Sequence, residues 1–288
     1  MKISFIGLGI MGSRMAANLL KNNVPLTVFN RNLKASVALA EKGATVANSM
    51  EDAVKNADIV FSMLSTPEVV EECFLKDGGA LDKMKQKAIW IDCSTVNPSF
   101  SVFTSKKAND KGIRFIDAPV AGSKPQAEAA ELVFFVGAKE YLLNEVKHFM
   151  EMMGKKVILI GETGKGSSFK MLVNMMLAQS MIVFSESVLL GEKMGISRDF
   201  LLNAIPNLPV SAPFTKSKAE MVKANNYEVQ FPLEWMYKDL HLAEITAQEL
   251  DQSLFLASVA KTLYKEATED GMGRLDFSAI HDYLNKHK

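Results

Sequence analysis

The sequence has only two cysteines among its 288 residues, Cys73 and Cys93. They show no C-x-x-C spacing and have no histidine cluster near them, which argues against a zinc site. So few cysteines are typical of proteins that work in a reducing compartment. We therefore expect a cytoplasmic protein with no disulfide framework and no bound metal.

An excess of either charge is also missing, because 33 basic residues are balanced by 33 acidic ones. A chain without net positive charge has no global field to attract nucleic acid or anionic lipid. No apolar run approaches the roughly 18 residues that a transmembrane helix needs. The short apolar start, residues 1–7, is interrupted by glycine and lacks the cleavage site of a signal peptide. We expect neither a nucleic acid nor a membrane as a partner.

What the first half does contain is an alternation of short, β-rich apolar runs with helical patterns. The predicted strands are residues 2–6, 26–29, 59–64, 88–92, 114–117, 132–136 and 156–160. Buried strands separated by helices indicate βαβ units, and hence a parallel sheet covered by helices on both faces.

The pattern changes after the glycine-rich segment 161–166. Residues 167–194 contain no proline and one glycine, which predicts a long helix at about 166–194 that is apolar on most of its sides. Helical periodicity continues to the end of the chain. The expected architecture is a Rossmann-type, doubly wound α/β domain over residues 1–163, followed by an all-α domain over residues 164–288. So much apolar helix surface also predicts a homodimer or homotetramer.

The segment directly after the first predicted strand reads G-x-G-x-x-G and opens a helix. Glycines at these positions permit a tight turn, the approach of a pyrophosphate and close packing of helix on strand. The helix N-terminus beyond them favours phosphate. A glycine turn without a ligand is the alternative, but the strand–turn–helix context favours a dinucleotide. The expected cofactor-binding residues are Gly7, Leu8, Gly9, Ile10, Met11 and Gly12, together with Met63, Leu64 and Ser65 at the end of the third predicted strand.

The end of the second predicted strand predicts which dinucleotide binds. Enzymes that use NAD usually have an acidic residue there for the ribose hydroxyl. This chain has Asn30, Arg31 and Asn32, with Lys34 close behind. An arginine can pair with a 2′-phosphate through two hydrogen bonds, whereas a solvated surface arginine is the alternative. We predict NADP(H) as the cofactor.

Two further segments follow predicted strands and carry candidate substrate-binding residues. Ser94 and Thr95 come after residue 92, and their hydroxyls either face the ligand crevice or cap the next helix. Gly122 and Ser123 lie beyond residue 117, and their N–H groups either converge on a carboxylate or belong to a surface loop.

Lys170 lies one turn inside the long apolar helix, with Asn174 four residues further along the same face. A lysine in such a place is paired, extends its ammonium to water, or has a function. When partly desolvated it can protonate a developing alkoxide, and Asn174 can orient it or hold the substrate.

These segments together resemble the β-hydroxyacid dehydrogenases, in order and spacing, over essentially the whole chain. The matching segments are Gly7 to Gly12, Asp92-Cys93-Ser94-Thr95, Asp117-Ala118-Pro119-Val120-Ala121-Gly122-Ser123 and residues 161–174. The glyoxylate/succinic semialdehyde reductase branch is the most similar one. Its resemblance rests on Gly122-Ser123-Lys124-Pro125, Phe231-Pro232-Leu233, Lys238-Asp239-Leu240 and Asp276-Phe277-Ser278-Ala279.

The resemblance implies a catalytic role for Lys170 and an NADPH-dependent reduction of small carboxylated aldehydes. It implies that Ser94, Thr95, Gly122, Ser123, Asn174, Phe231 and Asp239 bind substrate, and that Thr95 and Lys238 also approach the cofactor. The chain departs from the family at Ala121, where serine is common, so a hydroxyl donor is absent there. Two alternatives stay open: a dehydrogenase of 3-hydroxyisobutyrate or another β-hydroxyacid, and a binding domain without catalysis.

Overall fold

The computed structural model describes residues 1–287, so that Lys288, the last residue of the predicted second domain, lies outside the described residues. The chain divides into two compact units, which we call the first unit (Met1–Lys170) and the second unit (from Met171 onward). The expected domain boundary between residues 163 and 164 stays a prediction about which segments fold independently.

The first unit is built on one nine-stranded sheet, in the order β3-β2-β1-β4-β5-β6-β8-β7, with β9 paired to β8. Its strands are β1 (Ile3–Ile6), β2 (Leu26–Phe29), β3 (Thr45–Val46), β4 (Ile59–Ser62), β5 (Ile89–Asp92), β6 (Arg114–Asp117), β7 (Val120–Ala121), β8 (Leu132–Gly137) and β9 (Gly154–Gly161). The predicted fold class is confirmed. One expectation is wrong: β8 runs antiparallel to β6, so the sheet is not parallel throughout.

Neighbouring side chains along the central strands enter two different hydrophobic cores. Phe5 and Phe61 belong to one core, whereas Ile6, Val60 and Trp90 belong to the other. Because successive strand residues point to opposite faces, this division places a core on each side of the sheet. The covering helices are α1 (Gly12–Lys21), α2 (Leu33–Ala40), α3 (Met50–Val54), α4 (Pro67–Val70), α5 (Ala80–Lys83), α6 (Pro98–Asp110), α7 (Lys124–Glu128) and α8 (Glu140–Glu151), with a π-helical turn at Glu71–Leu75.

The second unit is helical, as the periodicity predicts. Its helices are α9 (Lys165–Lys193, which begins in the first unit), α10 (Arg198–Ala204), α11 (Thr215–Lys223), α12 (Leu233–Glu249), α13 (Phe255–Ala267) and α14 (Ile280–Lys286). Short turns at Ile205–Asn207, Thr268–Met272 and Phe277–Ala279 interrupt them. Within residues 171–287 the only strand-like feature is an isolated bridge between Pro232 and Asp276.

Helix α9 is the one helix within residues 1–287 that is long and apolar enough to cross a membrane by length and composition. Core helices of soluble proteins pass the same test. Its apolar residues do not all face inward, since Leu172, Met176, Val183 and Leu190 are more than half exposed. Their spacing of four, seven and seven residues places them along one side of the helix.

Candidate active site

The glycine motif forms the turn between β1 and α1 as expected. Gly7 has a φ of +90°, and a Cβ there would lie 2.4 Å from the carbonyl oxygen of Met63. A Cβ on Gly12 would lie 2.0 Å from the carbonyl oxygen of Gly7. Packing inside the chain therefore requires glycine at both positions. It also brings the segment beginning at Met63 against the glycine turn.

Gly9 differs from the other two glycines, because a Cβ added there meets nothing within 4 Å. Packing among the described residues does not require a glycine at this position, whereas close approach of a pyrophosphate does. The N–H groups of Gly9, Ile10 and Met11 have no acceptor among residues 1–287. Free amides beside the start of α1 are suited to phosphate oxygens. The residues present therefore fit a dinucleotide.

At the end of β2 the two asparagines are engaged with the backbone. The side-chain oxygen of Asn30 accepts from the N–H of Leu8 at 3.0 Å, and its amide donates to the carbonyl of Asn32 at 2.9 Å. The side chain of Asn32 caps α2 by accepting from the N–H of Lys34. Arg31 and Lys34 are exposed, and neither makes an ion pair within residues 1–287. The cations are thus the uncommitted side chains of this segment.

A buried hydrogen-bond network joins the ends of β4 and β5. The hydroxyl of Ser94 donates to Asp92 at 2.6 Å and accepts from the N–H of Leu64 at 2.9 Å. Ser62 donates to the same carboxylate and accepts from the indole N–H of Trp90. Ser94 is 1% exposed, and its hydrogen bond with the N–H of Leu64 holds the segment that follows β4. Its expected contact with substrate stays a prediction, as does that of the half-buried Thr95.

Gly122 and Ser123 form the turn between β7 and α7. Gly122 has a φ of +117°, which explains the glycine. The N–H of Ser123 donates to the side-chain oxygen of Gln126 at 2.9 Å, and its hydroxyl donates to the same atom at 3.1 Å. Both groups of Ser123 are therefore directed at its own helix, so its contact with a substrate carboxylate stays a prediction. Ala121 pairs with Val133 in the sheet.

Lys170 is buried on the first turns of α9, with 7% of its surface exposed. Ser167, one turn earlier on the same face, is 1% exposed. The start of the helix is fixed by Asp117 at the end of β6, which accepts the N–H of Gly164 at 2.7 Å and that of Ser167 at 2.8 Å. The lysine thus projects from a helix turn that is tied to the sheet.

In the second unit, three of the predicted site residues come together. The amide of Asn174 donates to Asp239 at 2.5 Å, and the ammonium of Lys238 lies 2.8 Å from the other oxygen of that carboxylate. Asn174 is 2% exposed, and its side-chain oxygen has no hydrogen-bond partner within the described residues. A buried amide oxygen without a partner is costly, so it is suited to accept from a ligand donor.

Phe231, also in the second unit, lies edge-on to Phe277 with a distance of 5.8 Å between the ring centroids. Its backbone N–H donates to Asp276, which also forms a 2.8 Å ion pair with Lys218. Both charged side chains are at most 5% exposed. Burial lowers the pKa of the Lys218 ammonium, and the neighbouring Asp276 opposes that shift. This ion pair holds the backbone that positions Phe231.

Sequence reasoning assigned no role to Asp92, Asp117, Lys218 or Asp276, although three of them lie in the quoted motifs. Their long-range partners are 30 to 58 residues away along the chain, as for Asp92 with Ser62 and for Lys218 with Asp276. The one available signal was an acidic residue at the end of a predicted buried strand, because a carboxylate there must find donors.

The arrangement provides open amides for a phosphate, exposed cations after β2 and a buried lysine on α9. Among residues 1–287, no cluster of three or more histidine, cysteine, aspartate or glutamate side chains has the geometry of a metal site. The groups present are those of a dinucleotide-dependent acid–base reaction.

Comparison with known proteins agrees with this geometry. A family model described as the NAD binding domain of 6-phosphogluconate dehydrogenase matches residues 2–161. A second, described as NAD-binding of NADP-dependent 3-hydroxyisobutyrate dehydrogenase, matches residues 164–284. The chloroplastic glyoxylate/succinic semialdehyde reductase 2 of Arabidopsis thaliana is 34% identical over 99% of this chain and 80% of its own. The mitochondrial 3-hydroxyisobutyrate dehydrogenase of Drosophila melanogaster is 36% identical over 99% of this chain and 90% of its own.

A solved structure shows the same fold over almost the full length. The 3-hydroxyisobutyrate dehydrogenase of Mycobacterium tuberculosis with L-serine superposes with a TM-score of 0.89, at 30% identity, and 98% of each chain is covered. Fold and sequence together define an NAD(P)-dependent oxidoreductase that acts on hydroxyl or aldehyde groups. The chain belongs to the β-hydroxyacid dehydrogenase family, as the resemblance predicts.

Proposed function

We propose that this protein reduces small aldehydes that carry a carboxylate, with glyoxylate and succinic semialdehyde as the substrates to test. The observation that carries the proposal is the buried Lys170 on α9, with Asn174 buried one turn further along the same helix face. The names of the Arabidopsis relatives support this substrate class.

In the proposed reaction NADPH, when bound, supplies the hydride that reaches the carbonyl carbon. Lys170 donates its ammonium proton to the carbonyl oxygen, which becomes the hydroxyl of the product. Burial of Lys170 limits its exchange with water and fixes the direction of its donor group. The amide oxygen of Asn174 accepts a hydrogen bond from the substrate, because no described residue satisfies it.

We assign substrate binding to the residues expected from the sequence, with distinct tasks. Thr95, Gly122 and Ser123 are the candidates in the first unit for the carboxylate, and Ser94 orders the neighbouring backbone through Asp92. In the second unit the candidates are Phe231, as an apolar wall, and Asp239, which holds Asn174. Lys238 is a cofactor candidate whose ammonium is paired with Asp239.

Replacing Lys170 by alanine tests the catalytic role. We expect kcat with glyoxylate or succinic semialdehyde to fall by about 10²–10⁴-fold, which is the usual contribution of a positioned acid. The dissociation constant for NADPH, measured by fluorescence titration, is expected to stay within about twofold of the wild type, since the glycine turn is untouched. Lys165→Ala is the matched control, because Lys165 is an exposed lysine on the same helix.

Wild-type turnover in Lys170→Ala would refute the role. The same assay distinguishes the alternatives. Faster oxidation of 3-hydroxyisobutyrate with NAD than reduction of either aldehyde with NADPH would favour a β-hydroxyacid dehydrogenase. No turnover of any of these compounds, together with tight NADPH binding, would favour a binding domain.

We propose NADPH as the preferred cofactor. With Asn30 and Asn32 committed to the turn, Arg31 and Lys34 are the side chains able to meet a 2′-phosphate. An exposed arginine without a carboxylate partner can form two parallel hydrogen bonds with a phosphate.

Arg31→Asp tests this preference by replacing the cation with a group that repels phosphate and accepts from a ribose hydroxyl. The ratio of kcat/KM for NADPH to that for NADH is expected to fall at least tenfold, equivalent to about 1.4 kcal/mol. Lys42→Asp, at another exposed cation of the first unit, controls for the change in net charge. A ratio that changes equally in both variants would contradict the assignment.

We also propose that the protein forms a homodimer or homotetramer in the cytoplasm. The exposed apolar side of α9 favours self-association. Cys73 and Cys93 are both free thiols, which suits a reducing compartment. Sedimentation velocity that finds only single chains at micromolar concentration would contradict the assembly, and cell fractionation tests the location.

A further inference from the structure

The carboxylate of Asp117 is the feature that fixes the start of α9. Asp117 ends strand β6 and is 1% exposed. One of its oxygens accepts from the N–H of Gly164 at 2.7 Å, and the other accepts from the N–H of Ser167 at 2.8 Å. Both hydrogen bonds go to backbone amides that lie 47 and 50 residues further along the chain.

The amide of Gly164 lies just before α9 and that of Ser167 lies in its first turn, where N–H groups have no acceptor within the helix. A carboxylate there both accepts hydrogen bonds and interacts favourably with the positive end of the helix dipole. Helix caps usually come from the residue just before the helix. Here the cap comes from the sheet, so it ties the helix to the end of β6 as well as terminating it.

The surroundings of this cap leave no room for movement. A Cβ on Gly137 would lie 2.3 Å from a carboxylate oxygen of Asp117, and a Cβ on Gly166 would lie 2.4 Å from the carbonyl of Phe135. The hydroxyl of Ser167 is 2.8 Å from that of Ser101 on α6. Helix α9 is therefore held at its start by β6, β8 and α6 together.

Lys170 follows Ser167 by three residues, so both side chains lie on the same face of α9, one turn apart. Each is at most 7% exposed. Any shift or rotation of the capped turn moves the lysine ammonium with it. We propose that Asp117 is a positioning residue that sets the place of the Lys170 proton donor through the first turn of α9. This inference rests on the proposed role of Lys170.

The protonation of Asp117 gives the arrangement a pH dependence. Burial raises the pKa of its carboxyl to about 6, although the amide hydrogen bonds oppose the shift. Asp92 is its register partner on β5, and the first turns of α9 carry the ionisable residues Lys165 and Lys170. The contacts from β8 and α6 come from Gly137 and Ser101, which carry no charge. Once protonated, Asp117 presents a donor to partners that are themselves donors, so the cap weakens.

Asp117→Asn is the first test. The amide oxygen can accept a hydrogen bond from one of the two backbone N–H groups, but the amide NH₂ group faces the other N–H, and two donors cannot form a hydrogen bond with each other. We expect kcat to fall about 10-fold to 100-fold at pH 7.5, because even a small displacement of a reacting group can cause a loss of this size. KM for the aldehyde and the dissociation constant for NADPH are expected to stay within about twofold of the wild type. Ser49→Ala is the matched control, since it removes the side-chain cap of α3 in the same unit.

The pH profile of the wild type is the second measurement, and it needs no variant to fold. We expect kcat to decline below about pH 6 while NADPH affinity stays constant, and we expect Asp117→Asn to lose this acid limb. A flat wild-type kcat between pH 7.5 and 5, or full turnover in Asp117→Asn, would overturn the inference. Full turnover in Lys170→Ala would instead overturn the proposed function, so the two failures are distinguishable.

Discussion

Asp117 of the first unit and Asp276 of the second unit are both buried, but their charges are stabilised by different means. In the first unit, Asp117 is held by amides of the backbone and has no cation within ion-pair distance among residues 1–287. In the second unit, Asp276 combines the amides of Gln230 and Phe231 with a buried lysine, Lys218. Strand ends beside a helix start offer many free amides, whereas the amides inside helices are already used. A helical unit therefore recruits a side-chain donor to bury the same charge.

The variant expected to have the largest effect on stability is Lys218→Met, which leaves Asp276 buried without its cation. Removing one partner of a buried pair typically costs about 3–5 kcal/mol, because the remaining charge stays desolvated. We expect about 3 kcal/mol here, since backbone amides still bind the carboxylate. The measurement is hydrogen exchange of peptides from residues 171–287, which isolates the second unit.

Lys265→Met is the matched control for that experiment. Lys265 pairs with Glu269 at 3.5 Å in the same unit, and both side chains are more than half exposed. Exposed pairs of this type contribute about 0.5 kcal/mol or less. Equal losses in the two variants would mean that backbone amides alone hold Asp276, and the contrast between the units would disappear.

Local patterns allowed the architecture to be predicted from the sequence. The glycine turn was predictable because its three glycines and the flanking strand and helix all lie within the first 21 residues. The two-residue strands β3 and β7 were not, because two residues cannot display an alternating pattern. The reversal of β8 was also invisible, since alternation indicates a strand but not its direction.

In the candidate site, too, local patterns predict some features and miss others. Lys170 and Asn174 are predictable as a pair because they are four residues apart on one helix. Asn174 and Asp239 were each expected to bind substrate, yet their mutual hydrogen bond spans 65 residues and no local pattern indicates it. The cap that Asp117 provides for α9 could not be predicted from the sequence for the same reason. Composition and spacing predict which residues are unusual, whereas tertiary contacts decide whether they bind a ligand or the backbone.

A test with a smaller expected effect on stability uses two buried groups whose pKa values are shifted in opposite directions. In the second unit, burial lowers the pKa of His281 to about 4, and nearby Arg198 adds to the shift. The unfolded chain therefore binds a proton first as the pH falls below 6.5, so the stability that depends on neutral His281 is lost between about pH 6.5 and 4. Between pH 7 and 5 we expect this group to cost the second unit about 2 kcal/mol.

Asp117 is expected to have the opposite effect on stability in the first unit, which gains stability as the pH falls. Its pKa is raised to about 6 from 3.8, so the folded chain binds the proton first. The cost of burying its charge is present above pH 6 and is relieved as the pH falls toward 4. Between pH 7 and 5 this group is expected to add about 1 kcal/mol to the first unit. The same acidification therefore reduces turnover by weakening the cap and stabilises the unit that contains it.

Hydrogen exchange at pH 7 and 5, corrected for intrinsic rates and read separately from peptides of each unit, measures both effects. His281→Gln is expected to flatten the response of the second unit alone, and Asp117→Asn that of the first unit alone. Burial opposes whichever charge it encloses, so an acid and a base hidden in one chain must respond to pH in opposite directions. If both units lost stability equally on acidification, and neither variant changed the slope, these two groups would not be the ones that titrate.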